Sequence, residues 1–153
     1  MQKRTSTDLA LLILRLTLGG IMVAHGLQTL GAVPGGAGSL QGTIDSMAAK
    51  GIPSWLAYLS VLAELGGGVA LVIGFLGKLA AFGVAVNMAV AIYKVHLNQG
   101  FFNPGVEFPL ALFAMAAALL VTGMGGYSAD AAIASSMDKT ISGKKDASAP
   151  PPS

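Results

Sequence analysis

Six side chains able to carry or exchange charge, Arg15, His25, Glu64, Lys94, His96 and Glu107, lie within or at the rims of long apolar runs. The surrounding chain of 153 residues is 54% hydrophobic and 10% charged, against roughly 25% charged in an ordinary soluble domain. An ionised group at the centre of a membrane helix costs about 2.5–3.5 kcal/mol, so each must have a partner or a task. The chemistry on offer is proton handling. Histidine titrates near neutrality, a carboxylate can accept a proton, and an arginine can fork its donors onto oxygen. The polar groups crowd one stretch above all, "VHLNQGFFNPGVEFPL", which sets His96, Asn98, Gln99, Asn103 and Glu107 around the pair Phe101-Phe102.

Four apolar blocks must position these groups: about Leu9 to Ala32, Trp55 to Leu76, Leu79 to Leu97 and Phe108 to Met124. Each is near the roughly 20 residues that cross a hydrocarbon core about 30 Å thick. Lipid offers the backbone no hydrogen-bond partner, so the blocks are expected to be helices. The fold class is therefore all-α, an integral membrane four-helix bundle, with Thr7-Asp8 and Pro53-Ser54 as expected helix starts. The first block is too long for a secretory signal, contains Arg15 and lacks a small-x-small cleavage site before Gly26, so it is expected to stay in the mature protein. Lys3, Arg4, Lys78, Lys139, Lys144 and Lys145 fall on one side of a four-span topology. The positive-inside rule then places both termini in the cytoplasm. Between the first two spans, Leu40, Ile44 and Met47 recur at helical spacing and predict a short interfacial helix. Residues 1–127 read as one transmembrane domain. Residues 128–153 read as a cytoplasmic tail, a frayed short helix followed by mostly disordered chain.

Counting along antiparallel helices brings Arg15 and Glu64 to similar depth, and they are expected to pair. Gly19, Met22 and Gly26 share the face of Arg15, and Ala57, Ser60, Gly67 and Gly68 that of Glu64; small residues there let helices approach closely. Such a pair fixes helix register, or serves chemistry; both readings stand. At the other end His25, Lys94, His96 and Glu107 could frame a polar mouth, with Asn87 and Lys94 seven residues apart on one face. For a single histidine, interfacial solvation suffices as an explanation, and Lys94 can snorkel to the surface.

Several classes fall away. The basic residues are scattered, without the basic patch or aromatic interleaving that grips nucleic acid. With no cysteine there are no disulfides, iron–sulfur sites or thiolate zinc sites. Two histidines on different helices could ligate haem b, but no CxxCH or HExxH spacing accompanies them and haem b is disfavoured. No metal site is expected, and no Ser, His and Asp arrangement suggests a hydrolase. The runs "GGIMVAHG" and "LGGGVALVIG" lie inside apolar segments, where close packing explains glycine better than phosphate binding.

The ordered set "LRLTLGGIMVAHG", "KGIPSWLAYLSVLAELGGGVALVIGFLGKLAA", "VHLNQGFF" and "GVEFPLALFAMAAALLVTGMGGYSAD" resembles the DoxX family of small four-helix membrane proteins, over about Leu14 to Asp130. By that resemblance the family's membrane Arg matches Arg15 and its His-Gly matches His25-Gly26. Its Glu followed by glycines matches Glu64-Leu65-Gly66-Gly67, and its later His and Gly-Phe-Phe match His96 and Gly100-Phe101-Phe102, followed by Glu107. The closing Gly-x-Gly-x-Tyr-Ser-x-Asp looks like 123–130. The chain departs from the family after His-Gly, where Gln28 and Thr29 stand in place of a basic residue.

The family includes the membrane subunit of thiosulfate:quinone oxidoreductase. The resemblance therefore implies an inner-membrane redox subunit that binds a quinone or similar lipid-soluble redox molecule. Glu64 and His96 are then the catalytic candidates, and Arg15, His25, Lys94, Phe101, Phe102 and Glu107 the ligand-binding ones. Beyond the lipid bilayer, soluble redox proteins and further copies of the chain are the candidate partners. A shared fold does not transfer an activity. A non-catalytic scaffold docking soluble redox enzymes through the tail, and a small-molecule carrier working as an oligomer, remain alternatives. Whether the chain is itself an enzyme stays open.

Overall fold

The computed structural model describes residues 2–102 and 105–147, and all their regular structure is helical. Helix α1, Gln2–Thr29, begins a turn or more before the expected Thr7-Asp8 start. Asp8 is no cap: its Oδ1 accepts a hydrogen bond of 2.7 Å from the Gly126 amide, across the bundle. Helix α2, Leu40–Ala49, is the short helix foreseen between the first spans. Ser39 caps it, its hydroxyl accepting the Gly42 amide proton at 3.0 Å. Ile44 is buried, and Leu40 and Met47 are half-buried on the same side.

Helix α3, Ser54–Ile73, and helix α4, Gly77–Gln99, form the expected antiparallel hairpin. Each is broken by one widened π turn, Leu62–Gly66 in α3 and Ile92–His96 in α4. Both turns contain candidate residues, and π turns recur at functional positions. Three helices, Thr5–Thr29 of α1, α3 and α4, are long and apolar enough to cross a membrane. Helix α5, Glu107–Thr122, is apolar but has only 16 residues. At 1.5 Å per residue it spans about 24 Å, short of the roughly 30 Å hydrocarbon core. The chain therefore finishes this passage with irregular backbone, 123–128, before helix α6, Ala129–Ala147.

Helix α1 packs on α3, α3 on α4 and α4 on α5, with α5 closing back toward α1. Leu18, Met22, Leu71, Ala81, Val84, Leu112, Ala116 and Leu119 make the core. Many large apolar residues point outward, among them Ile13, Trp55, Leu62, Leu79, Phe82 and Val121. A soluble protein does not tolerate such a surface, but lipid does. Arg15, Gly19, Met22 and Gly26 of α1 and Ala57, Ser60 and Gly68 of α3 are all buried, as their helical spacing predicts. A Cβ at Gly68 would sit 2.8 Å from the Val23 amide nitrogen and 2.9 Å from the Gly19 carbonyl oxygen, so the two helix backbones touch there.

The segment after Tyr127 corrects the expectation of a frayed helix and loose tail: α6 runs for 19 residues. Ser128 initiates it, accepting the Ala131 amide proton at 3.2 Å while donating to the Gly125 carbonyl at 2.7 Å. The expected disordered end from 148 onward lies outside the described residues, as does the Asn103-Pro104 part of the predicted turn.

Candidate functional site

Arg15 and Glu64 do not form the expected pair. Arg15 is 2% exposed and turns toward the end of the bundle where α1 begins. Its Nη1 donates to the Met124 carbonyl at 3.1 Å and its Nη2 to the Tyr127 carbonyl at 2.6 Å. The irregular 123–128 backbone supplies carbonyls that no helix satisfies, and an arginine fork suits two of them better than a distant carboxylate does. Gly74, in the left-handed conformation at φ 75°, leaves room for the guanidinium: a Cβ there would collide with Arg15 Nη1. Asp130 is close enough to act electrostatically on Arg15 and is itself anchored, accepting the Leu76 and Gly77 amide protons at 2.9 Å each. This is a structural latch joining α1, the α3–α4 turn and the end of α5. Of the residues that complete it, Asp8 carried only a local cue to a helix start and Asp130 entered only at the end of the family resemblance.

Glu64 lies in the π turn of α3 within a separate polar cluster. Its Oε2 accepts from the Thr29 hydroxyl at 2.9 Å. Its Oε1 takes the Ser60 hydroxyl at 3.2 Å and the Asn87 amide at 3.5 Å. Ser60 also reaches Asn87 Oδ1 at 2.9 Å, so one hydroxyl proton serves two acceptors. The cluster draws on α1, α3 and α4, all its members half-buried but Ser60, which is buried. Every hydrogen-bond partner of the carboxyl group is neutral. As a carboxylate it accepts from Thr29 and Asn87; as an acid it can donate to the Ser60 oxygen. Either state is therefore accommodated without moving the helices.

Between α3 and α4, one helical turn beyond the Ser60–Asn87 contact, an apolar cleft of about 390 Å³ opens to the outside. Ile52, Leu56, Val86, Val90 and Tyr93 form its walls, and Lys94 stands at its rim. Lys94 is exposed, with its Nζ 5.4 Å from the ring of Tyr93. Of the eight predicted site residues, Lys94 alone lines this cleft.

The others at this end are distributed around it. His25 is exposed and lies against Phe108, ring centroids 5.7 Å apart. His96 is half-buried at the close of the α4 π turn. Phe101 and Phe102 pack edge to face at 5.0 Å and remain largely exposed. Backbone bonds from Val106 to Gly100 and from Glu107 to Phe101, both 3.1 Å, close the reversal and set Glu107 at the start of α5, with its side chain exposed. His25 and Glu107 are thus brought to one end with no hydrogen bond or ion pair between them. Among the described residues, no group of three or more His, Cys, Asp or Glu could hold a metal ion.

The DoxX family profile matches residues 10–97, from early α1 to the last turn of α4. The chain belongs to the DoxX family. Two curated relatives are each 30% identical to it. One is the Bacillus subtilis (strain 168) protein named "Putative oxidoreductase CatD", aligned over 118 residues, 77% of this chain and 82% of that one. The other is "Inner membrane protein YqjF" of Escherichia coli (strain K12), aligned over 119 residues, 72% of this chain and 89% of that one. No solved structure matches. The DoxX profile spans the whole Glu64 cluster and the cleft, whereas the carbonyls that hold Arg15 lie beyond it. Thr29 gives Glu64 its shortest hydrogen bond in this DoxX protein.

Proposed function

We propose that this DoxX protein is an inner-membrane subunit of a redox system and binds a quinone or similar lipid-soluble redox molecule between α3 and α4. The observation that carries the reading is the Glu64 carboxyl group, held by neutral donors at a π turn, with its partner Ser60 one helical turn from an apolar cleft open to lipid. The cleft walls Leu56, Val86 and Val90 suit an isoprenoid or ring body, and Ser60 and Asn87, one helical turn beyond its lining, offer the nearest groups for a carbonyl or hydroxyl head group. A bound quinone would supply two-electron, two-proton redox chemistry. Glu64 would hold or release a proton to Ser60 Oγ, and Lys94 would attract an anionic partner to the rim. His96 would exchange protons with the aqueous side. The positive-inside distribution of lysines supports cytoplasmic termini, and the names of the two relatives support a redox role at an inner membrane.

The test is solvent extraction and mass spectrometry of protein purified in mild detergent, with a visible spectrum of the same sample. Stoichiometric quinone is expected in the wild type, lost in Val90→Trp, which fills the cleft. Glu64→Gln should keep the fold and the quinone while lowering quinone-linked turnover with a soluble partner roughly 100-fold, the scale of a lost acid–base group. Equal quinone content in wild type and Val90→Trp would sink the cleft, and a Soret band would replace quinone with haem. Full turnover in Glu64→Gln would remove the proton role.

A further inference from the structure

Helix α6 carries an apolar stripe that no other part of the described chain covers. Ile133, Met137 and Ile141 are 46%, 60% and 66% exposed. At 100° per residue they lie within an arc of about 80°, with Ser135, Ser142 and Lys139 on the opposite side. The root of the helix fixes which way that stripe faces. Asp130 falls inside the same arc, and its carboxylate takes the Leu76 and Gly77 amide protons while its own amide donates to the Gly74 carbonyl at 2.9 Å. The stripe therefore continues the face that α6 turns toward the end of the bundle. Around that root the surface is already of the kind that meets lipid: Phe75, Leu76 and Tyr127 are about half exposed.

We propose that α6 lies in the headgroup layer of the membrane that the bundle spans, with Ile133, Met137 and Ile141 immersed at the acyl boundary. The occupant of the stripe is lipid rather than protein for two reasons. The stripe is continuous with the bundle's own lipid-facing surface at Phe75 and Tyr127. It also ends in Lys144, which is exposed and lies about 20° from the line of Ile133. A protein interface would have to bury that lysine, whereas at a membrane its stem follows the apolar stripe and its ammonium group reaches a phosphate. The helix contains three Asp and three Lys, so attachment depends on the stripe more than on net charge and should persist in high salt. The proposal rests on the membrane character of the bundle and is independent of quinone binding.

The chain has no cysteine, so single cysteines can be labelled without background. The full chain, with a polarity-sensitive fluorophore at Met137→Cys or Ile141→Cys on the stripe and at Ser135→Cys or Ser142→Cys opposite, is placed in nanodiscs of phosphatidylcholine and phosphatidylglycerol. Circular dichroism confirms the helical content of each variant. On the stripe, brominated phospholipid should quench the label at least twofold and iodide should quench it weakly. The opposite positions should show the reverse, and the pattern should survive 0.5 M salt, about a 4 Å screening length. Equal iodide quenching at all four positions overturns the proposal. Stripe positions shielded from iodide yet untouched by brominated lipid also overturn it, and assign the stripe to a second copy of the chain.

Discussion

Arg15 and Glu64 divide labour in a way that their charges alone do not announce. Both are ionisable residues in apolar helices, and a reading by depth joins them. The guanidinium instead binds two backbone carbonyls, and the carboxyl group binds three neutral side chains. The reason is local: irregular backbone inside a bundle needs donors more urgently than a carboxylate already supplied by Thr29, Ser60 and Asn87 does. Arg15→Met should lower stability by about 2–4 kcal/mol, since each buried carbonyl left without a donor costs about 1–3 kcal/mol. Denaturant or thermal unfolding in detergent would measure it. Arg15→Lys keeps the charge but cannot fork in the same geometry, and should fall between the two. Leu76 offers the opposite test. It is more than half exposed and sits at φ 48°, in the left-handed region that costs a branched side chain about 1–2 kcal/mol. Leu76→Gly should raise the unfolding free energy by about 0.5–1 kcal/mol, part of the relief being offset by glycine's greater freedom when unfolded.

At the scale of elements, hydropathy and small-residue spacing were legible because they act along one helix. The three long spans, the hairpin at Gly77, the short helix after Ser39 and the buried faces around Gly19 and Gly68 all follow from residues three, four or seven apart. What did not follow depends on neighbours far along the chain. The Met124 and Tyr127 carbonyls meet Arg15 from 109 and 112 residues away. The π turn at His96 changes register without a glycine or proline, the one at Glu64 ends on a glycine run that reads as close packing, and the cleft arises only when α3 and α4 are set side by side. The length of α6 was missed because its alanines and serines read as tail, although Ser128 and Asp130 start it firmly. Of the site itself, Glu64 and Lys94 were legible; Thr29, Leu56 and Val90 were not, being ordinary residues made relevant by position. The α1–α3 contact gives the sharpest element-level test. Gly68→Val must push against the Val23 amide and the Gly19 carbonyl, and should cost about 1–3 kcal/mol. Cysteine crosslinking across α1 and α3 should show the separation directly.

Over the whole molecule, two polar systems hold opposite ends of one bundle. Near the start of α1, Asp8, Arg15 and Asp130 tie the last passage to the first; farther along, Thr29, Ser60, Glu64 and Asn87 tie α1 to the α3–α4 hairpin. Asp130→Ala should free the root of α6 and the Leu76 and Gly77 amides, a loss of about 1–2 kcal/mol by analogy with a removed helix cap. Amide exchange at those two positions should accelerate, while the amides of the α1–α3 contact keep their protection. The latch also has a consequence in time. Arg15 enters the membrane ahead of the α3 and α4 spans, and the carbonyls that hold it are synthesised more than a hundred residues later. At about 5–20 residues per second the wait is roughly 5–20 s. Through that interval the first helix carries an unanswered cation, free to slide toward the water or to lean on an insertion factor. Only the arrival of the 123–128 backbone draws it into place, so in the finished bundle α1 precedes α3, α4 and α5 in the chain yet settles after them.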